Sequence, residues 1–348
     1  MELLWFCLAT AMIVGYVILD GFDLGAGIVQ LLVAKEENER AQVLRSIGPV
    51  WDGNEVWLLA AGGALFLAFP ILYASSFSGF YLALMIVLWL LILRGIAIEF
   101  RNHIDNPLWI PAWDTVFGGA SAVLALVFGV ALGNVVRGVP LDANGYFFLP
   151  LWTNLLPDAD AGVIDWYTLL VGATAFVALA VHGSLWVVIK TAGRLQEATR
   201  ASCAKFWWGL LVITLLISPL SFAIQPNLWK RFTSHPWGIV FPALALAGLV
   251  GVRVFSVQRK DKAAFLASSL YLAGMLASVA FGVFPNVLPS NTAPDFSLTI
   301  YNAAAAEHGL MIALWWFIPG MVLAIAYSIF TYRHFAGKVD GDETEGEL

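Results

Sequence analysis

An all-α integral membrane protein with about nine transmembrane helices is the fold class this sequence predicts, and three observations predict it. Of its 348 residues, 60% are hydrophobic and 12% charged, where a soluble domain carries roughly 25% charge; the mean hydropathy is +0.81. The apolar residues form continuous runs of spanning length rather than alternating, which selects helices over a β-barrel because lipid demands an internally satisfied backbone. Finally, the basic residues fall almost entirely on one side of the membrane that those runs define.

Taken in order, the spans are expected at roughly 4–33, 50–70, 76–98, 114–136, 165–189, 206–224, 236–257, 263–284 and 309–333. The first apolar segment runs about 30 residues with no basic residue before it, so it reads as a retained, tilted span rather than a cleaved leader. The second begins among polar residues and is the weakest of the set. With the N-terminus outside, fifteen Lys and Arg residues lie at inner loops and helix ends, and only Arg137, Lys230 and Arg231 lie outside, which accounts for all 18. A missed or false helix would scramble that split. The C-terminus is then cytoplasmic.

The chain divides into one polytopic domain, residues 1–335, and an acidic, solvated tail, 336–348, which carries much of the net charge of −6. Two long outer loops, about 137–164 and 285–308, hold several prolines, and the second has no basic residue. Cys7 and Cys203 have no metal-type spacing and fall on opposite sides, so free thiols are expected. Basic residues are few and scattered, which argues against nucleic acid as a partner.

An ionised group inside a bilayer costs roughly 2.5–3.5 kcal/mol or more, so those that persist face a partner, a cavity or a proton path. Three clusters qualify. Asp20 and Asp23 stand three residues apart on one helix face, beside Gly21 and Gly25. Like charges so close should not both ionise; a proton-carrying pair and a polar clasp on a neighbouring helix are both open readings. Asp52 and Glu55 repeat that spacing at the cytoplasmic start of the second span, flanked by Trp51 and Trp57. Here an N-cap competes with a proton entry. Arg94 and Glu99 in the third span read as a structural ion pair, within or between helices.

His182, deep in the fifth span, is the one histidine placed for haem ligation, though helix packing explains a lone buried histidine at least as well. No dinucleotide-binding or phosphate-loop glycine pattern, zinc-protease motif or nucleophile elbow is present. The residues alone therefore leave two classes open: a proton-coupled secondary transporter, or a scaffold subunit whose acids only pack helices.

A series of motifs goes further. Leu19-Asp20-Gly21-Phe22-Asp23-Leu24-Gly25-Ala26-Gly27 is followed by Trp51-Asp52-Gly53-Asn54-Glu55-Val56-Trp57, Gly62-Gly63-Ala64-Leu65-Phe66 and Phe69-Pro70. Then come Tyr73-Ala74, Phe77-Ser78-Gly79-Phe80-Tyr81, the segment Arg94 to Arg101, and Phe284-Pro285-Asn286-Val287-Leu288-Pro289-Ser290. In this order, over nearly the whole chain, they resemble subunit II of the cytochrome bd-type quinol oxidases. The resemblance implies nine helices in two four-helix bundles plus one peripheral helix, in the bacterial cytoplasmic membrane. It implies a heterodimer in which subunit I carries haems b and d and the quinol site, while this chain ligates no haem. A bound structural quinone, a small accessory subunit, and contacts with quinol and lipids are further expectations. Carried over by motif, Asp52 is the expected residue of a proton path from the cytoplasm, with Asp20, Asp23 and Glu55 as its supports.

Overall fold

The computed structural model of the chain describes residues 1–158 and 160–339; the acidic tail, from residue 340 on, lies outside the described residues. Among the described residues eight helices are long and apolar enough to cross a membrane, and a bent helix pair, counted as one broken span, brings the number to nine. They are α1 (Glu2–Leu32), α5 (Tyr81–Phe100), α6 (Trp109–Arg137), α7 (Trp166–Lys190), α8 (Gly193–Ile224), α10 (Val240–Val257), α11 (Asp261–Val283) and α12 (Glu307–His334). The bent pair is α3 (Trp51–Ala68) with α4 (Pro70–Gly79). Short helices α2 (Glu37–Ile47) and α9 (Pro226–Ser234) join spans at opposite ends.

The second expected span, 50–70, differs from the helices observed. It does not run straight through residue 70; the chain turns by 119° between α3 and α4. Pro70 is the cause: it has no N–H to donate, so α3 ends before it, and proline then opens α4 as its first residue. Residues 76–79, expected in the third span, belong to α4, and α5 begins at Tyr81.

The helices pack as two four-helix groups with one outlier, as expected. In the first, α1 lies against α3 and α6, and α6 against α5. In the second, α7 lies against α8 and α11, and α11 against α10. Helices α1 and α6 both pack on α7, which joins the groups. The α1–α7 crossing depends on Gly25 and Gly183: a Cβ on Gly25 would collide with the Leu179 carbonyl, and one on Gly183 with the backbone of Gly25. Beside it Phe22 stacks on Trp186, with ring centroids 4.1 Å apart. In α7, 72% of the apolar stretch is buried within the chain, against 11% for α5 and for α12.

One end of the molecule gathers the basic helix termini. Arg194 pairs with Glu39 at 2.7 Å, Arg101 with Asp114 at 2.7 Å, and Arg259 with Glu197 at 2.8 Å. Gln30 also donates to Asp114, at 2.8 Å, tying α1 to α6. At the other end the two long loops interlock: Val139 N–H donates to the Pro289 carbonyl and the Asn291 N–H to the Val139 carbonyl, each at 3.0 Å. A small antiparallel hairpin pairs β1 (Asn286–Leu288) with β2 (Leu298–Thr299). Arg137 and Asp165 form a buried ion pair there, and Asp165 caps α7 by accepting from the N–H groups of Tyr167 and Thr168.

Candidate functional site

The intramembrane acids meet where α1, α3, α5 and α12 converge. Asp20 on α1 and Arg94 on α5 are both fully buried and form a two-pronged ion pair, Nη2 to Oδ1 at 2.5 Å and Nη1 to Oδ2 at 2.8 Å. Nη2 of Arg94 also reaches Glu55 Oε2 on α3 at 3.3 Å. The expected Arg94–Glu99 pair does not form. Glu99 is exposed and outside every ion pair among the described residues. Arg94 lies on the buried face of α5, and a residue five positions on has rotated away from it.

Asp20 and Asp23, expected as a pair, are split between different neighbours. Asp23 Oδ2 accepts from Asn54 Nδ2 on α3 at 2.8 Å, and Asn54 Oδ1 accepts from the Tyr332 hydroxyl on α12 at 2.7 Å. The other Asp23 oxygen is buried with no hydrogen-bond partner among the described residues. One guanidinium thus stands among three carboxyls, Asp20, Glu55 and Asp23, and it is committed in two prongs to Asp20.

Asp52 sits differently. It is the second residue of α3, whose N-cap is Val50 with no side-chain cap, so Asp52 is not the cap. Its side chain faces outward from the chain. Glu55, one turn deeper, is 24% exposed, and the residue it reaches, Arg94, is fully buried. The carboxyls therefore grade from open to enclosed: Asp52, Glu55, then Asp20.

Asn54 and Tyr332 escaped the sequence reading. Asn54 carried a signal, a polar residue inside a span between two acids. Tyr332 carried none, since a tyrosine near a helix end reads as an interface anchor and its partner is 278 positions away.

His182 is fully buried, and both ring nitrogens are engaged: Nε2 donates to the Ile18 carbonyl at 2.8 Å, and Nδ1 bonds Ser268 Oγ at 2.7 Å. Its ring stacks on Phe265 with centroids 4.6 Å apart. A haem iron needs a free imidazole nitrogen, so His182 does not fit that role. Among the described residues no group of three or more His, Cys, Asp or Glu side chains is arranged to hold a metal ion.

The family described as cytochrome bd terminal oxidase subunit II matches residues 1–335. The probable cytochrome oxidase subunit 2 of Haemophilus influenzae is 34% identical, covering 98% of this chain and 96% of that one. The cytochrome bd ubiquinol oxidase subunit 2 of Bacillus subtilis is 31% identical, over 98% and 97% of the two chains. The cytochrome bd-I ubiquinol oxidase subunit 2 of Escherichia coli K12 is 29% identical, over 99% and 97%. Among solved structures, a chain of the bd oxidase from Geobacillus thermodenitrificans superposes with a TM-score of 0.75 at 19% identity, covering 96% of this chain and 98% of that one.

Proposed function

Because the chain belongs to the cytochrome bd terminal oxidase subunit II family, and so to a multi-pass quinol oxidase complex of the bacterial membrane, we propose that it binds no haem and admits protons from the cytoplasm. The transporter reading loses its motivation with that membership. In this reading subunit I holds haems b and d, and this chain stabilises subunit I. The engaged nitrogens of His182 support the division of labour.

The partner's place follows from what this chain leaves uncovered. Helices α5 and α12 are the least buried spans, and Asp52 and Gly63 open outward from α3, which lies beside α12. A carboxylate turned outward within a bilayer needs a polar partner or water. We place subunit I against α3, α5 and α12, where it would cover Asp52.

The observation that carries the proton reading is the grading of the carboxyls. Under the charge asymmetry of the loops, the basic end is cytoplasmic and α3 starts there. Protons enter at Asp52, and Glu55 links that entry to the buried cluster one turn deeper. Asp23, whose second oxygen is unbonded and which has no ion-pair partner among the described residues, is the enclosed site able to take up a proton. Dioxygen reduction consumes protons, and a carboxyl relay delivers them through lipid.

Asp52→Asn keeps size and shape and removes the proton site. Turnover of the assembled oxidase is expected to fall about a hundredfold, at the lower edge of a positioned proton donor's worth, with the reduced-minus-oxidised haem spectrum unchanged. Full turnover per assembled complex, with fewer complexes formed, would make Asp52 structural. A second reading has support for Asp20 alone: its two-pronged bond to Arg94 suits a clasp between α1 and α5 better than a mobile proton site.

A further inference from the structure

Away from the carboxyl cluster, at the basic end of the second helix group, a cavity of about 250 Å³ opens between α7, α8 and α10. Its walls are apolar, built from Leu185, Val188, Trp207 and Val252, and three arginines stand around it: Arg200, Arg253 and Arg259. Two of them are matched to carboxylates. Arg200 pairs with Asp261, and Arg259 donates to Glu197 at 2.8 Å.

Arg253 is different. Its guanidinium lies over the indoles of Trp207 and Trp208, 5.7 and 5.9 Å from the ring centroids, and among the described residues it has no carboxylate or other hydrogen-bond acceptor. Resting against aromatic faces holds its position and leaves the in-plane N–H groups free to donate. Ser256, three residues on and also lining the cavity, has a buried hydroxyl with no hydrogen-bond partner. Arg253 sits four residues before the end of α10, about 6 Å along the helix, at the depth where headgroups meet acyl chains. A second cavity alongside, sharing Val188, adds Lys260, Lys262 and Lys338 to the same face.

We infer that the α7–α8–α10 cavity seats the phosphate of an anionic phospholipid, with Arg253 as its forked donor and Ser256 as a second one. Phosphate suits both the unpaired guanidinium and the surplus of positive charge. Lipid rather than free phosphate suits the apolar walls, which would hold the upper acyl chain. The inference needs only that these helices lie in a membrane, and it is independent of the proton reading.

The test is native mass spectrometry of the detergent-purified oxidase complex, titrated with phosphatidylglycerol, phosphatidylcholine or inorganic phosphate. The wild-type complex is expected to retain one phosphatidylglycerol that neither phosphatidylcholine nor millimolar phosphate displaces. Arg253→Ala should weaken retention by roughly tenfold or more, as for a lost charge-assisted hydrogen bond. Ser256→Ala should weaken it a few-fold, and Lys35→Ala, an exposed basic residue elsewhere at this end, not at all. If the alanine variant fails to assemble, Arg253→Lys decides, since a point charge cannot reproduce the fork. Retention unchanged in the Arg253 variants, equal loss in Lys35→Ala, or equal competition by phosphatidylcholine would overturn the inference. Displacement by inorganic phosphate would overturn the lipid as occupant.

Discussion

Asp20 and Arg94 join α1 to α5 through two hydrogen bonds, 2.5 and 2.8 Å long, with both side chains fully buried. Neither charge can reach water, so each depends on the other for solvation. Removing one partner leaves an uncompensated buried charge, which costs about 3–5 kcal/mol in comparable pairs. Arg94→Ala or Asp20→Leu should therefore sharply lower the yield of assembled complex and its thermal inactivation midpoint. Arg94→Gln combined with Asp20→Asn should recover much of that loss, because neither fully buried partner is left as a lone charge; Glu55, which also loses Arg94, is 24% exposed. Additive losses in the double variant would show that the two residues act independently.

The bonds from Asp23 to Asn54 and from Asn54 to Tyr332 separate a proton site from its support. Tyr332→Phe removes one neutral donor and should cost about 1 kcal/mol of stability with turnover nearly intact. Asp23→Asn should lower turnover per haem well beyond that while the complex still assembles. Equal turnover in the two variants would demote Asp23 to a packing role.

Glycines predict different failures at different faces. At Gly25 an added Cβ meets backbone on α7, which cannot move aside as a side chain can. Gly25→Ala should force α1 and α7 apart at a cost of about 1–3 kcal/mol or more, read as loss of the folded chain in detergent. Gly63 on α3 has nothing within 4 Å of an added Cβ. Gly63→Leu should leave this chain folded and weaken its copurification with subunit I. An intact heterodimer in that variant would move the interface off this face of α3.

Orientation is checkable with one thiol. In Lys338→Cys combined with Cys7→Ser, which removes the exposed native thiol, a membrane-impermeant maleimide added to intact cells should fail to label the new cysteine until the membrane is permeabilised. Labelling in intact cells would invert the topology and remove Asp52 from the proton-donating side.

Much was legible from the chain alone, because a bilayer imposes simple rules. Spanning length and backbone satisfaction mark the helices, and the asymmetry of Lys and Arg sets the expected orientation that the maleimide experiment tests. The same rules flagged Asp20, Asp23, Asp52, Glu55, Arg94 and Glu99 as costly, and all but Asp52 and Glu99, which open outward, were found enclosed or half-enclosed. The bend at Phe69-Pro70 was within reach of the sequence, since proline ends a helix, but a continuous apolar run concealed it.

Partners were another matter, and only the tertiary structure decided them. Sequence spacing defines faces within one helix; it does not say which helices meet. Arg94 chose Asp20, 74 positions away, over Glu99, five positions away, because Arg94 lies on the buried face of α5, from which its long side chain reaches α1, whereas Glu99 lies on the exposed face. Asp20 and Asp23 share a helix face yet bond to different helices for the same reason, and Tyr332 entered the cluster from the last span. Local chemistry in this chain sets which residues must find a partner in lipid. Packing, through crossings as tight as that of Gly25 with Gly183, sets which partner each one finds.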